Sequence, residues 1–193
     1  MRLVEDYLKV KPTSLKPMAG RILISVPLFN DPFFNRSVIL LTDYEPESTA
    51  GLVLNKKSEY SIRKVISDIK IDDPVYVGGP LMTNAVFGIH NHENTKQSAK
   101  LLPGVYIGYD EIFLALIEHH AIESMRYRFF IGYSGWSPGQ LDNEIQNRMW
   151  VVGNANPDLI FNTDADQIWK SAVIQLGKEY LHWLDIPKDI SDN

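Results

Sequence analysis

Apolar residues along this chain come in short runs divided by polar, proline-rich or glycine-rich stretches. Arg21-Ile22-Leu23-Ile24-Ser25-Val26 is almost continuously apolar and stops at Pro27, which predicts a strand buried on both faces. A loop rich in Asn, Asp and Phe follows to Asn35, and Ser37-Val38-Ile39-Leu40-Leu41-Thr42 predicts the next strand. The run Asp43 to Ser48 has turn chemistry, so Gly51-Leu52-Val53-Leu54-Asn55 beyond it should return antiparallel to residues 37–42. Further strands are expected over Pro74–Val77, Ala85–His90, Val105–Gly108, Arg128–Tyr133 and Met149–Val152, with residues 91–100 as a polar loop.

Helical periodicity is confined to a few segments. Ser61 is placed to cap a short helix reaching about Ile69, and Asp110 to cap one whose apolar pairs Ile112/Phe113 and Leu116/Ile117, then His120/Ala121, recur every four residues. A helix is expected after Pro138, and a final one from Asp164 to Trp183 lines Trp169, Val173, Leu176 and Tyr180 along one stripe. Residues 3–9 predict a short helix, and Lys11-Pro12-Thr13-Ser14-Leu15-Lys16-Pro17 an extended arm, because proline breaks helices and restricts the residue before it. Several strands are joined by turns too short to hold a crossover helix. The expected fold is therefore α+β: residues 1–19 as a lead-in arm, and residues 20–193 as one compact domain with a mixed, largely antiparallel sheet and helices packed on its faces.

Composition narrows the functional classes. The 193 residues contain no cysteine, which removes disulfides, thiolate metal sites and cysteine nucleophiles. No run approaches the roughly 20 apolar residues of a membrane helix, and the start Met1-Arg2-Leu3-Val4-Glu5 lacks an apolar signal core, so a cytoplasmic protein without membrane contact is expected. Lys and Arg number 19 against 24 Asp and Glu, a net charge of -5, which disfavours direct nucleic-acid binding. The helix carrying Arg63 and Lys64 is the modest candidate for DNA contact.

Catalytic patterns are incomplete. Gly132-Tyr133-Ser134-Gly135-Trp136 approaches the G-x-S-x-G nucleophile elbow but has Trp136 where that motif needs glycine. His90 and His92, with Glu93 or the His119-His120 pair, have only loose metal-ligand spacing, and no phosphate-loop pattern is present. No metal or cofactor is expected. Ser137-Pro138-Gly139-Gln140 fits a capping box: Ser137 Oγ would accept from the Gln140 N–H while the Gln140 side chain bonds back. The same helix start, beside an indole and a glycine-rich turn, could instead hold an anion or a flat ligand. On that reading the candidate cleft comprises Asn55, Gly78, Gly79, Pro80, Gly135, Trp136, Ser137 and Gln140, and its partner is an unknown protein or a small-molecule or anionic ligand. The alternative is a hydrolase using the cleft around Ser134 and Trp136.

Five ordered segments carry a wider resemblance: residues 20–27, residues 31–38 (Asp-Pro-Phe-Phe-Asn-Arg-Ser-Val), residues 51–55, Gly78-Gly79-Pro80, and Gly132-Tyr133-Ser134-Gly135-Trp136-Ser137-Pro138-Gly139-Gln140-Leu141. In that order they resemble the AlgH/YqgE family. The resemblance implies a compact layered fold in a cytoplasmic bacterial protein often labelled a transcriptional regulator, with no known substrate and no agreed catalytic residue. Many members carry a histidine near the end of the second strand. This chain has Thr42-Asp43-Tyr44 there, so a role for that histidine does not transfer. The competing functions are a non-catalytic binding or regulatory module, a hydrolase, and direct transcriptional control.

Overall fold

The computed structural model describes residues 10–187 apart from 12, 68, 94 and 95. The helix expected over residues 3–9 lies outside these residues. Among the described residues ten strands form one sheet: β1 Arg21–Ser25, β2 Val38–Tyr44, β3 Thr49–Val53, β4 Lys57–Ser61, β5 Pro74–Val77, β6 Leu81–His90, β7 Ala99–Leu102, β8 Val105–Ile107, β9 Tyr127–Trp136 and β10 Trp150–Asn154. The main path runs β10-β1-β2-β3-β9-β6-β8-β7, with β4 and β5 on a branch. Every pairing is antiparallel except β5 with β9. The long segment between those two strands supplies the crossover that a parallel pair requires. The mixed, largely antiparallel sheet is thus as expected.

The near-continuous apolar strands are covered on both faces. Ile22, Ile24, Val38, Leu40 and Leu52 point to one side, where helix α4 (Ala165–Leu176) brings Ile168, Trp169, Ala172 and Val173. Leu23, Ile39, Leu41 and Val53 point to the other and meet Trp136, Trp150 and Leu141, the last from helix α3 (Gln140–Gln146). Each fully buried aliphatic side chain of this kind contributes about 2 kcal/mol relative to exposure. A third cluster joins Ile62 of α1 (Ile62–Val65), Val75, Phe129, and Phe113 and Ile117 of α2 (Glu111–Glu118). Asp110 caps α2 as expected, accepting the Phe113 N–H at 2.8 Å.

Several local expectations are corrected by packing. The helix expected to reach Ile69 is the four-residue α1, and the polar run Lys57–Ser61 before it is an edge strand, paired on one side with β5. The loop expected to fill residues 91–100 gives way at Ala99 to β7, which pairs with β8. Helix α2 ends at Glu118, leaving His119 and His120 beyond it and exposed. The expected final helix breaks at Gly177, whose φ of 113° no helix contains, and resumes as a 3-10 turn over Lys178–Asp185 that buries Tyr180 and Trp183. The arm lies against the sheet edge and this last turn: Thr13 donates to the Val152 carbonyl at 2.8 Å and Lys11 pairs with Glu179 at 3.0 Å. Among the described residues no helix is long and apolar enough to cross a membrane.

Candidate functional site

The glycine-rich segment expected as a turn around Trp136 is, up to Trp136, the second half of strand β9. Residues 129–131 of that strand pair with β5, whereas Ser134, Gly135 and Trp136 pair with Gly51, Ala50 and Thr49 of β3. One strand thus serves two partners in succession, and Gly78 and Gly79 sit at the fork. The Gly78 N–H donates to the Ile131 carbonyl at 2.8 Å, and its carbonyl accepts from Val53 N at 2.9 Å. A Cβ on Gly79 would stand 2.1 Å from the Tyr133 carbonyl carbon, and one on Gly78 would stand 2.3 Å from the Gly132 oxygen. Gly132 has a φ of 69°, a conformation costly for any residue with a side chain. The glycines of two motifs therefore answer one steric demand, the close approach of three backbones.

Ser134 lies inside this fork. It is 1% exposed, and its hydroxyl donates to the Gly78 carbonyl at 3.2 Å. A nucleophile needs a base in reach and access to substrate. Ser134 is instead buried and held by a backbone carbonyl, a setting that speaks against Ser134 as the nucleophile of the hydrolase alternative.

Beyond Trp136 the chain turns into α3, and half of the expected capping box forms. The Ser137 N–H donates to Gln140 Oε1 at 3.0 Å, but the Gln140 N–H bonds the Ser137 carbonyl, not its hydroxyl. The N-cap is Gly139, at φ 73°. The residue that organises this region is Glu144, which the sequence analysis did not single out. Its Oε2 accepts from Trp136 Nε1 at 2.9 Å and Trp150 Nε1 at 2.8 Å, while Oε1 accepts from Gln140 Nε2 at 2.8 Å. The spacing of four between Gln140 and Glu144 on a helix was the available signal. Trp136 is thus buried and bonded, and the exposed Ser137 N–H and Gln140 side chain are bonded too.

Asn55 stands in a third setting. Its amide clamps the start of β2, accepting from Val38 N at 3.0 Å and donating to the Arg36 carbonyl at 2.8 Å. It also borders a cleft of about 810 Å³ between the β3–β4 connection and α4. Trp169 lines that cleft, donates to the Ser25 carbonyl at 3.0 Å, and carries the Arg36 guanidinium 4.8 Å above its ring. Of the eight candidate residues only Asn55 borders this cleft. Gly78, Gly79 and Gly135 meet at the sheet fork, Pro80 lies exposed just beyond it, and Trp136, Ser137 and Gln140 gather around Glu144.

The histidine pair offers no open ligand set. His90 is fully buried, stacked on Phe113 at 4.4 Å, with Nδ1 accepting the His92 N–H at 3.2 Å and Nε2 2.9 Å from Ser98 Oγ. An Nδ1 that accepts is unprotonated, so the neutral ring carries its proton on Nε2 and donates to Ser98. Burial pushes the His90 pKa below its ordinary 6.5. Among the described residues no group of three or more His, Asp or Glu is placed to hold a metal ion. The DNA candidate weakens on geometry as well. Arg63 sits on a four-residue helix, too short to lie along a groove, and pairs with Asp72 at 3.0 Å.

A curled, forked, largely antiparallel sheet with helices on its faces defines an α+β protein. The chain belongs to the AlgH-like family, whose sequence profile matches residues 22–181. A UPF0301 protein of Bacteroides thetaiotaomicron is 33% identical over 97% of each chain, and one of Chlorobaculum tepidum is 32% identical over 90% of this chain and 94% of its own. The fold is shared with a Corynebacterium diphtheriae protein of known crystal structure, at a TM-score of 0.75 and 22% identity over 89% of this chain and 93% of that one. It is shared too with the solution structure of AlgH from Pseudomonas aeruginosa, at 0.71 and 24% identity over 87% and 93%.

Proposed function

We propose that the chain is a cytoplasmic, non-catalytic binding module whose ligand site is the cleft beside Asn55. The observation that carries this reading is the convergence at one cleft of Asn35 and Arg36 from one motif, Asn55 from another, and the first turn of α4. At about 810 Å³ its volume suits a small molecule, since ligand pockets run from about 300 to 1,000 Å³. In this reading the Gly78-Gly79-Pro80 turn and the Gly135–Gln140 segment frame the protein, and Asn55 borders the ligand. Any regulatory effect follows from ligand binding and not from direct contact with DNA, for which a net charge of -5 is adverse.

A thermal-shift screen against a metabolite library, followed by hydrogen-exchange footprinting of each hit, tests this. Protection at residues 35–36, 55–57 and 165–170 supports it. Stabilising hits that protect only other segments, or that are turned over chemically, overturn it.

A further inference from the structure

Arg128 is a cation buried without an anion. It is 7% exposed, yet among the described residues no carboxylate forms an ion pair with its guanidinium. Buried charges are ordinarily paired, because an isolated ion is costly to remove from water. Two neutral carbonyls, of Leu54 at 3.3 Å and Thr163 at 2.6 Å, take up two of the five N–H donors, and Nε bonds to no described residue. Burial pushes the Arg128 pKa down, and the charge of nearby Asp164 counters this only in part.

The same side chain borders open space. Arg128 forms one wall of a cavity of about 220 Å³, which Tyr76, Tyr127 and Phe161 line with aromatic surface and at which Asp73 and Asp164 stand exposed. The walls are held in place. The guanidinium lies 4.8 Å over the Tyr76 ring, the Tyr127 hydroxyl donates to Asp73 at 2.6 Å, and Thr163 Oγ1 donates to the Asp158 carbonyl at 3.1 Å. Asp164, by contrast, makes no side-chain bond to the start of α4. At about 30 Å³ for each water, the cavity has the volume of about seven waters, which suits a molecule the size of a small amino acid.

The charges decide between ligands. One guanidinium faces two carboxylates, so a simple anion adds a third negative group to the cavity, and a simple amine meets the guanidinium. A zwitterion avoids both penalties. We propose that this cavity binds a small, neutral α-amino acid. Its carboxylate accepts from the free N–H groups of Arg128, its ammonium donates to Asp164, and a short apolar side chain lies against the aromatic walls. Asp73 is already engaged by Tyr127 and serves to hold that wall. The site is separate from the cleft beside Asn55 and does not depend on it, although the two adjoin: Leu54, which anchors Arg128, precedes Asn55, and Asp164 precedes Ala165.

Magnetic-resonance titration of the isotope-labelled full chain tests it, read at the Arg128 Nε–H signal, which is assigned by comparison with Arg128→Lys. L-Alanine, propionate and ethylamine are the probes: the second lacks the ammonium and the third lacks the carboxylate. Asp164→Asn removes the rim charge, and because Asp164 is exposed and asparagine caps helices as well as aspartate does, the variant keeps the fold. The expected result is a saturable shift of the Arg128 signal with alanine, affinities about tenfold or more weaker for propionate and ethylamine, and a loss of about tenfold in alanine affinity in Asp164→Asn with propionate binding no weaker than before. No shift of the Arg128 signal with alanine, equal affinity for propionate, or equal alanine affinity in Asp164→Asn overturns the proposal.

Discussion

Trp136 and Trp150 share one acceptor: both indole N–H groups donate to Oε2 of Glu144, at 2.9 and 2.8 Å. Two strands, β9 and β10, are thereby tied to the same point on α3. Both tryptophans are at least 92% removed from solvent, at 8% and 2% exposure, so neither indole can readily turn to water when the carboxylate goes. Glu144→Ala leaves two buried donors unsatisfied and should cost about 2–4 kcal/mol in urea unfolding. Glu144→Gln, which keeps a carbonyl acceptor, should cost less. A loss below about 0.5 kcal/mol for the alanine variant would mean that the shared acceptor contributes nothing.

The fork in the sheet predicts a contrast between two glycines. Gly79→Ala drives a methyl to 2.1 Å from backbone that three strands hold in place, and should cost more than about 3 kcal/mol or prevent folding. Gly139→Ala meets no atom within 4 Å and carries only the strain of φ 73°, about 1–2 kcal/mol. Parallel expression and thermal unfolding of the two variants decide this. Similar losses would refute the steric account of the Gly-Gly motif.

His90 should make the protein sensitive to mild acid. Its folded pKa is depressed by burial from an ordinary 6.5, so the unfolded chain binds the proton more readily. The stability is intact above pH 6.5 and is lost as pH falls from there through the lower folded value. His90→Leu removes this titration. Its unfolding free energy, measured between pH 7.5 and 5, should decline less steeply than that of the unmodified protein, about 1.4 kcal/mol being at stake per unit of depression. Parallel curves would rule the histidine out as the source.

Arg128 is a second buried group whose geometry predicts a cost. It is 7% exposed, donates to the Leu54 and Thr163 carbonyls at 3.3 and 2.6 Å, and lies 4.8 Å over the Tyr76 ring. Lysine supplies the charge but neither the planar fork nor the stacking, so Arg128→Lys should lose about 2 kcal/mol in denaturant melts. An unchanged midpoint would show that charge alone suffices.

The sequence by itself determined the central strands, the Asp110 cap, the mixed sheet and the family, because these depend on local apolar runs, local capping and ordered motifs. It also marked Gly78-Gly79-Pro80 and the glycine-rich segment around Trp136 as candidate cleft residues. Only the tertiary structure decided what those glycines approach, since Gly79 meets Tyr133 across 54 residues of chain. The polar edge strand Lys57–Ser61 was hidden for the same reason: it is a strand only because β5 lies beside it. The role of Glu144 waited on the folding of β9 and β10 to either side of α3. The cleft beside Asn55 likewise joins residues 35–36, 55–57 and 165–170, segments that sequence spacing does not connect. Local pattern reports what a segment can form, whereas a shared acceptor, a sheet fork or a charged cleft arises only when distant segments are packed together.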